Sequence, residues 1–561
     1  MLYLGWRADK GNSLQCDTLD IIGELLSNGS AGLYDLNLNR TMKVQSAGAG
    51  FSELTDYSMF IAMGIPKKGQ TLQEVRDLLL AEIEKLKKGD FSDDLLPSVI
   101  NNYKRSYYTS LDNNKFRAKA FVDAFINNVD WKQEVDRLNR ISKMTKAEIV
   151  SFANRFFDNG YAAVYKVQGA DTTIQKVDKP KITPIPTNND KHSAFLQEIV
   201  NHQVEPIKPV FVDFKKDLTK STTKKGWPIL YKQNTQDDLF TLYLEIPFGK
   251  ESDLLPGYAK MYIDYLGTDK MTNAQIKQEL YKLACDYDIG QTDDETYFKL
   301  TGLNENLPKA LALINDVIDN AKVDKEAYAA AVDLLIKSQK DTKADQKSNF
   351  RALQNYGMYG AYNSTRNILS EEQLKNMDPQ KLLNSLKGLK NYKQTVLYYG
   401  PSSLKDIDNL LSKTFKTAKK FTPLPKEKRY TLQATPKNEI LIAPYDAKNI
   451  YMVQFHNENK EWNPNDAAKI AVFNEYFGGG MNAIVFQEMR EARALAYSAS
   501  ASYRTPSRLG DKEYFNTYII TQNDKMMDCV AQFNELLNNV PVRQANFDLA
   551  KQNLLKSLAS A

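Results

Sequence analysis

Histidine is nearly missing from this sequence. Only His192, His202 and His456 occur in 561 residues, and neither H-x-x-E-H nor H-E-x-x-H is present, so no protein zinc site is expected within the chain. Cysteine is as scarce: Cys16, Cys285 and Cys529 lie far apart with no C-x-x-C, which excludes a disulfide framework and a thiolate zinc centre and leaves the redox compartment open. No apolar run reaches the length of a membrane span. The first residues have neither a basic region nor a small-residue cleavage site, and the chain reads as soluble. A net charge of +5, from 74 basic and 69 acidic residues interspersed, gives no case for nucleic acid or an anionic membrane. Other templates also fail. Gly64 to Gln70 lacks the P-loop lysine, and Asn28-Gly29-Ser30-Ala31-Gly32 misses the nucleophile elbow by its first residue.

What is present is 42% hydrophobic and 25% charged, enough for real cores, over a length that predicts three or four domains. The most constrained stretch runs from Phe477 to Tyr503. Gly478 to Gly480 break a helical pattern over Asp466 to Phe477, and a second helical pattern begins at Met481 with Ile484, Val485 and Met489 as its apolar positions. From Leu495 the period becomes two, with small residues on both faces of a strand. The three glycines are followed by neither Lys-Ser nor Lys-Thr, so a phosphate loop is set aside. Arg490 falls near the end of the second helix and Tyr497 near the start of the strand. Two readings stand. The pair grips a peptide carbonyl or a developing oxyanion, or Arg490 caps its helix while Tyr497 packs beneath a neighbour.

G-G-G-M-N-A-I-V-F-Q-E-M-R-E-A-R-A-L-A-Y resembles the signature of the C-type domain of the pitrilysin/insulinase zinc metallopeptidases, the inverzincins. The resemblance implies that Arg490 and Tyr497, in the last of four domains, face a zinc site across a cavity and bind the substrate backbone.

The same order of elements occurs earlier in the chain. Asp17 to Leu26 is a helical pattern, followed by Ser27-Asn28-Gly29-Ser30, another helical start, a strand at Ser46 to Phe51 and a long helix at Leu72 to Lys88. Aligning Gly29 with Gly480 also pairs Glu24 with Glu475. One extra residue in the later segment then pairs Ser46 with Ser498, an internal repeat. Leu38 stands opposite Arg490 and Gln45 opposite Tyr497, so the first repeat lacks the pair. The family resemblance makes that repeat a structural domain.

Between the repeats, a Lys-, Thr-, Asn- and Pro-rich linker carries Pro180, Pro184, Pro186, Pro206 and Pro209 around a short helical piece, Ala194 to Val200. His192 and His202 point about 80° apart on that helix, so with Glu198 they read as a solvated linker rather than a metal site. From Lys225, alternating strands and amphipathic helices predict a mixed domain with a mainly antiparallel sheet and helices on one side. This block resembles the family's N-type domain, including Leu266-Gly267-Thr268. Where an active domain has H-x-x-E-H before that Gly-Thr, this chain has Tyr258, Met261 and Tyr262. None can replace imidazole or the general base. His456, in a strand pattern, reads as a sheet residue.

The fold class read from these patterns is α+β, with repeated two-layer domains of mainly antiparallel sheet and helices on one face. The expected division is a structural C-type domain at 1–170, a linker at 171–211, an inactive N-type domain at 212–425 and a C-type domain with the Arg/Tyr pair at 426–561. Both ends read as cut, the first directly into a strand and the last in an uncapped helix. The resemblance implies the substrate-binding, chamber-forming part of a zinc metalloendopeptidase. Its partners would be peptide substrates, added to a sheet edge, and a zinc-bearing N-terminal half or partner subunit holding the zinc. No catalytic or metal-binding residue is expected within this chain. The alternative is a non-catalytic structural or partner subunit of the same family. Resemblance to bacterial members implies a periplasmic location.

Overall fold

The computed structural model describes residues 1–111, 113–175, 192–203, 205, 208, 210–415 and 420–559. The five linker prolines lie outside the described residues. The chain forms two compact units. One comprises Met1–Val167, Asp213–Asn349 and Tyr362–Tyr430, the other Gln168–Val212, Phe350–Ala361 and Thr431–Ala561.

The first unit holds two sheets. Strands β1 (Leu2–Arg7), β2 (Ser46–Ser52), β3 (Met59–Ile65) and β4 (Ala162–Tyr165) form an antiparallel sheet in the order β2-β3-β1-β4. Alternation along β1 buries Leu2, Leu4 and Trp6, and these pack with the apolar stripes of the helices Gln15–Leu26 and Leu72–Lys88. The second of these helices starts at a capping box, Thr71 with Glu74, and ends at Gly89 with φ +70°. Its first turn thus gains two hydrogen-bond acceptors and its last a residue free to turn left-handed.

Strands β5 (Thr219–Thr222), β6 (Pro228–Gln233), β7 (Leu239–Ile246), β8 (Cys285–Gln291), β9 (Thr296–Leu303) and β10 (Thr395–Gly400) form the second sheet, in the order β5-β6-β10-β7-β9-β8. Every neighbouring pair is antiparallel except β6 with β10. Its core joins Phe240, Leu242 and Leu244 of β7 to Leu307, Leu311 and Ile314 of the helix Leu307–Asn320. Asn102 reaches across from the first sheet's helices to the Tyr281 carbonyl at 2.9 Å, and Arg105 pairs with Asp286 at 2.6 Å.

In the second unit, β11 (Asn449–Glu461), β12 (Ser498–Arg504) and β13 (Lys512–Gln522) form an antiparallel sheet in the order β11-β13-β12. Its core consists of Phe477, Ile484, Val485, Met489, Ile519 and Phe533 with their neighbours. The architecture is α+β, with mainly antiparallel sheets layered against helices. The linker helix runs Ala194–Asn201 behind a Ser193 cap, and His192, Glu198 and His202 are exposed. Among the described residues no helix is long and apolar enough to cross a membrane.

The glycines Gly478 and Gly479 do not end the preceding helix as the pattern implies. The helix Ala467–Asn474 continues as a π turn, Glu475–Gly479, and only Gly480 is extended. Tight packing explains why glycine is needed there, since a Cβ on Gly478 would stand 2.1 Å from the Ala501 carbonyl oxygen of β12. The second helix is also shorter than its periodicity predicts. It is α-helical over Ile484–Phe486 and then π-helical over Gln487–Glu491.

Candidate functional site

Five features of the backbone around Arg490 have counterparts in the first repeat. The π turn Gln487–Glu491 matches the π turn Asp35–Asn39. Each is closed by a five-residue bond of equal length, Ala492 N–H to Gln487 and Arg40 N–H to Asp35, both 2.9 Å. Each is followed by a left-handed residue, Ala494 at φ +48° and Met42 at φ +52°. The strand then begins with the same hydrogen bond, Tyr497 N–H to Ile520 and Gln45 N–H to Ile65, both 2.9 Å. Finally, Ser498 faces Ile520 as Ser46 faces Ile65 in the hairpin register. β11 also pairs with β13 as β1 pairs with β3, so the two segments share one strand order.

Polar groups hold this turn in place. The Ala494 carbonyl accepts from Lys525 Nζ at 3.0 Å, and the Leu495 carbonyl accepts from Thr521 Oγ1 at 2.5 Å and from Cys529 Sγ at 3.3 Å. Burial raises the Cys529 thiol above its ordinary pKa, which keeps it protonated as a donor. Asn474 clamps the far end of β12, its amide bonding both Tyr503 N–H (2.8 Å) and Tyr503 O (2.9 Å).

Arg490 and Tyr497 project from this frame. Tyr497 is 76% exposed, and Arg490 is exposed with its guanidinium 5.0 Å above the Phe486 ring. Three arginines lie near the turn and differ in their partners. Arg543 pairs closely with Glu488, whereas among the described residues Arg493 and Arg490 make only looser contacts, each 3.7 Å, with Glu488 and Glu491 respectively. Among the described residues the Arg490 guanidinium donates no hydrogen bond to a helix carbonyl. A weakly paired guanidinium and an exposed phenol can donate to a carbonyl oxygen.

Tyr258 and Tyr262 are engaged in hydrogen bonds within the fold. Tyr262 is fully buried, and its hydroxyl donates to the Asp324 carbonyl (2.8 Å) and accepts from the Asp324 N–H (2.9 Å). Tyr258 Oη accepts from Leu369 N–H at 3.0 Å. With Met261 they offer a thioether and two phenols raised by burial above their ordinary pKa, a donor set that does not fit zinc. Near them lies a group that sequence reasoning missed. Asp264 accepts from Lys277 Nζ and Tyr287 Oη, both at 2.9 Å, in a triad that no local pattern signals. Among the described residues no three His, Cys, Asp or Glu side chains group as a metal site. His456 lies in β11, with Nδ1 3.1 Å from Thr435 Oγ1.

Comparison with known proteins places this architecture among the peptidases. The structure resembles the periplasmic protease PqqL from Escherichia coli, with a TM-score of 0.52 and 13% identity over 99% of this chain and 64% of that one. It also resembles a mutant of the ferredoxin protease FusC solved with Arabidopsis ferredoxin, with a TM-score of 0.53, 10% identity and the same coverage. The beta subunit of mitochondrial-processing peptidase from Neurospora crassa is 22% identical over 130 residues, which are 22% of this chain and 27% of that protein. The chain thus spans less than two-thirds of each of these relatives. A family model for the inactive domain of M16 peptidases matches residues 1–103 and 391–554, and the insulinase (M16) model matches residues 229–367. This chain belongs to the insulinase (M16) family of peptidases. One model matches residues in both repeats.

Proposed function

We propose that this chain is the substrate-binding and chamber-forming portion of a zinc metalloendopeptidase that degrades peptides, with the zinc held by a domain or subunit outside it. The observation that carries this reading is that Arg490, weakly paired, and Tyr497 are both exposed, on a backbone whose other repeat buries Leu38 at the position matching Arg490. Arg490 and Tyr497 donate hydrogen bonds to a substrate carbonyl. In the transition state the same donors meet a developing negative charge, where they stabilise most. The likeness to a periplasmic protease supports an exported enzyme.

The test joins this chain to a zinc-bearing N-terminal half and compares Arg490→Ala and Tyr497→Phe with the parent. Losing the charged donor should lower kcat/KM by about 10² to 10³, equivalent to roughly 2 to 4 kcal/mol. Unchanged turnover with a lowered Tm would return both residues to a structural role. A second reading, a non-catalytic structural or partner subunit, is supported by the similarity to a protein named as a subunit. It requires that no zinc-bearing partner give activity with this chain.

A further inference from the structure

Phe486 immediately precedes the π turn that carries Arg490, as Tyr34 precedes the π turn that carries Leu38. Both are aromatic, and both stand four residues before the position where the repeats differ, the spacing that brings two side chains together on one helix face. Their surroundings are not alike. Tyr34 is fully buried, its Oη donates to the Leu79 carbonyl at 3.2 Å, and its ring shares a core with Leu38. Phe486 has no hydroxyl to anchor it and is only half-buried. Ile484 and Val485 before it and Met489 after it are fully buried in the core of their repeat, yet Phe486 is not among the residues of that core. Core packing therefore accounts for Tyr34 and not for Phe486.

What the Phe486 ring does meet is the guanidinium. Arg490 Cζ lies 5.0 Å from the ring centre, within reach of a cation–π attraction. The other contact of Arg490, with Glu491, joins side chains that are 49% and 54% exposed, where solvent screens most of the attraction. The kind of partner decides what becomes of the donors. A carboxylate holds an arginine by accepting its N–H groups, as Glu488 holds Arg543. A ring face holds the cation through its quadrupole and takes up none of the five N–H donors.

We propose that Phe486 is the positioning residue for Arg490: its ring keeps the guanidinium on one side of the π turn and leaves the N–H donors free for a substrate carbonyl. The hold on the guanidinium is a property of this chain alone, and its use on a carbonyl rests on the proposed substrate-binding function. The ring acts before substrate arrives. It limits the rotamers open to a long, half-exposed side chain, so less freedom is lost when the carbonyl binds. Phe486 itself touches no reacting atom.

One arm of the test uses the full chain, isotope-labelled at its arginines, and reads the Arg490 Nε–H resonance, assigned by its disappearance in Arg490→Lys. The ring current should place it upfield. Phe486→Leu keeps an apolar side chain without the ring and should return the resonance to the position of an unstacked arginine, whereas Phe486→Tyr should hold it upfield. The other arm joins the chain to the zinc-bearing N-terminal half and measures kcat/KM on a quenched fluorescent peptide. Phe486→Leu should lower it about fivefold, Phe486→Tyr should restore it, and Phe486→Leu should add nothing once Arg490 is alanine. Should Phe486→Leu not fold, the resonance in the parent and in Phe486→Tyr decides. The proposal is overturned by an Arg490 resonance that is not upfield in the parent or that Phe486→Leu does not move. It is overturned equally if Arg490→Ala impairs turnover while Phe486→Leu does not, or if Phe486→Leu costs the same with and without Arg490, as a packing role would. Unchanged turnover in Arg490→Ala with the resonance upfield would overturn the substrate-binding function and leave the ring's hold on the guanidinium established.

Discussion

At the fourth residue of the π turn the first repeat buries Leu38 completely, whereas the second leaves Arg490 half-exposed. The backbones beneath them share the five-residue bond, the left-handed residue and the hydrogen bond that opens the strand. The fold therefore supplies the same position twice and fills it in two ways. Where Leu38 fills the position it joins a core with Leu25, Tyr34 and Leu79. In the second repeat that position is free for a charged group. The clamps differ as well. Asn39 bonds Ala47 near the start of β2, through its N–H at 2.7 Å and its carbonyl at 2.9 Å, while Asn474 grips Tyr503 near the end of β12. A shared backbone does not require shared fastenings.

The largest expected contrast is at that position. Leu38→Ala should cost about 3 kcal/mol through lost burial and a cavity, whereas Arg490→Ala should cost under about 1 kcal/mol. Native-state hydrogen exchange of each hairpin measures both, and equal losses would break the comparison. Next are two glycines on the two sides of the alignment. Gly478→Ala forces a Cβ against the Ala501 backbone and should cost about 2 to 3 kcal/mol. Gly29→Ala meets nothing within 4 Å and is strained only by φ +81°, for about 1 kcal/mol. Urea unfolding of the pair distinguishes crowding from backbone strain.

The clamps should matter about equally. Asn39→Ala and Asn474→Ala each remove two hydrogen bonds to a strand, for about 1 to 2 kcal/mol, read as faster amide exchange at Ala47 and Tyr503 respectively. The smallest effect is a slope with pH. Burial, with the nearby carboxylates of Asp20 and Asp35, pushes the Glu24 carboxyl from 4.5 up to about 7. Between those values the folded chain keeps a proton that the unfolded chain has released. Stability is thus fully present below about pH 4.5 and declines as pH rises to about 7. Glu24→Gln should flatten this slope and raise stability at pH 8 by about 1 kcal/mol, as measured by denaturant midpoints across pH.

Much of this was legible in the chain. Alternation located β1, β7 and β9, and the helix Leu72–Lys88 begins and ends where its pattern predicts. The residues at 258, 261 and 262 were legible as non-ligands because zinc chemistry depends on side-chain type, which sequence states directly. The repeat, too, followed from matched periods and one insertion.

The π turns were not legible. An α and a π turn use the same residues, and the shift from a four- to a five-residue bond is set by what the helix end packs against. At the turn Glu475–Gly479 the neighbour is the Ala501 backbone of β12, which Gly478 allows to approach. The triad of Asp264, Lys277 and Tyr287 joins side chains from two helices and a strand, so no local pattern announces it. What the sequence determined by itself is the type and order of the elements and the chemistry each position can offer, because periodicity and side-chain identity are local. Tertiary structure alone decided which of those positions face solvent, because that depends on partners distant in the chain. Leu38 and Arg490, at matching places on two shared turns, show that decision going opposite ways, one buried and one half-exposed.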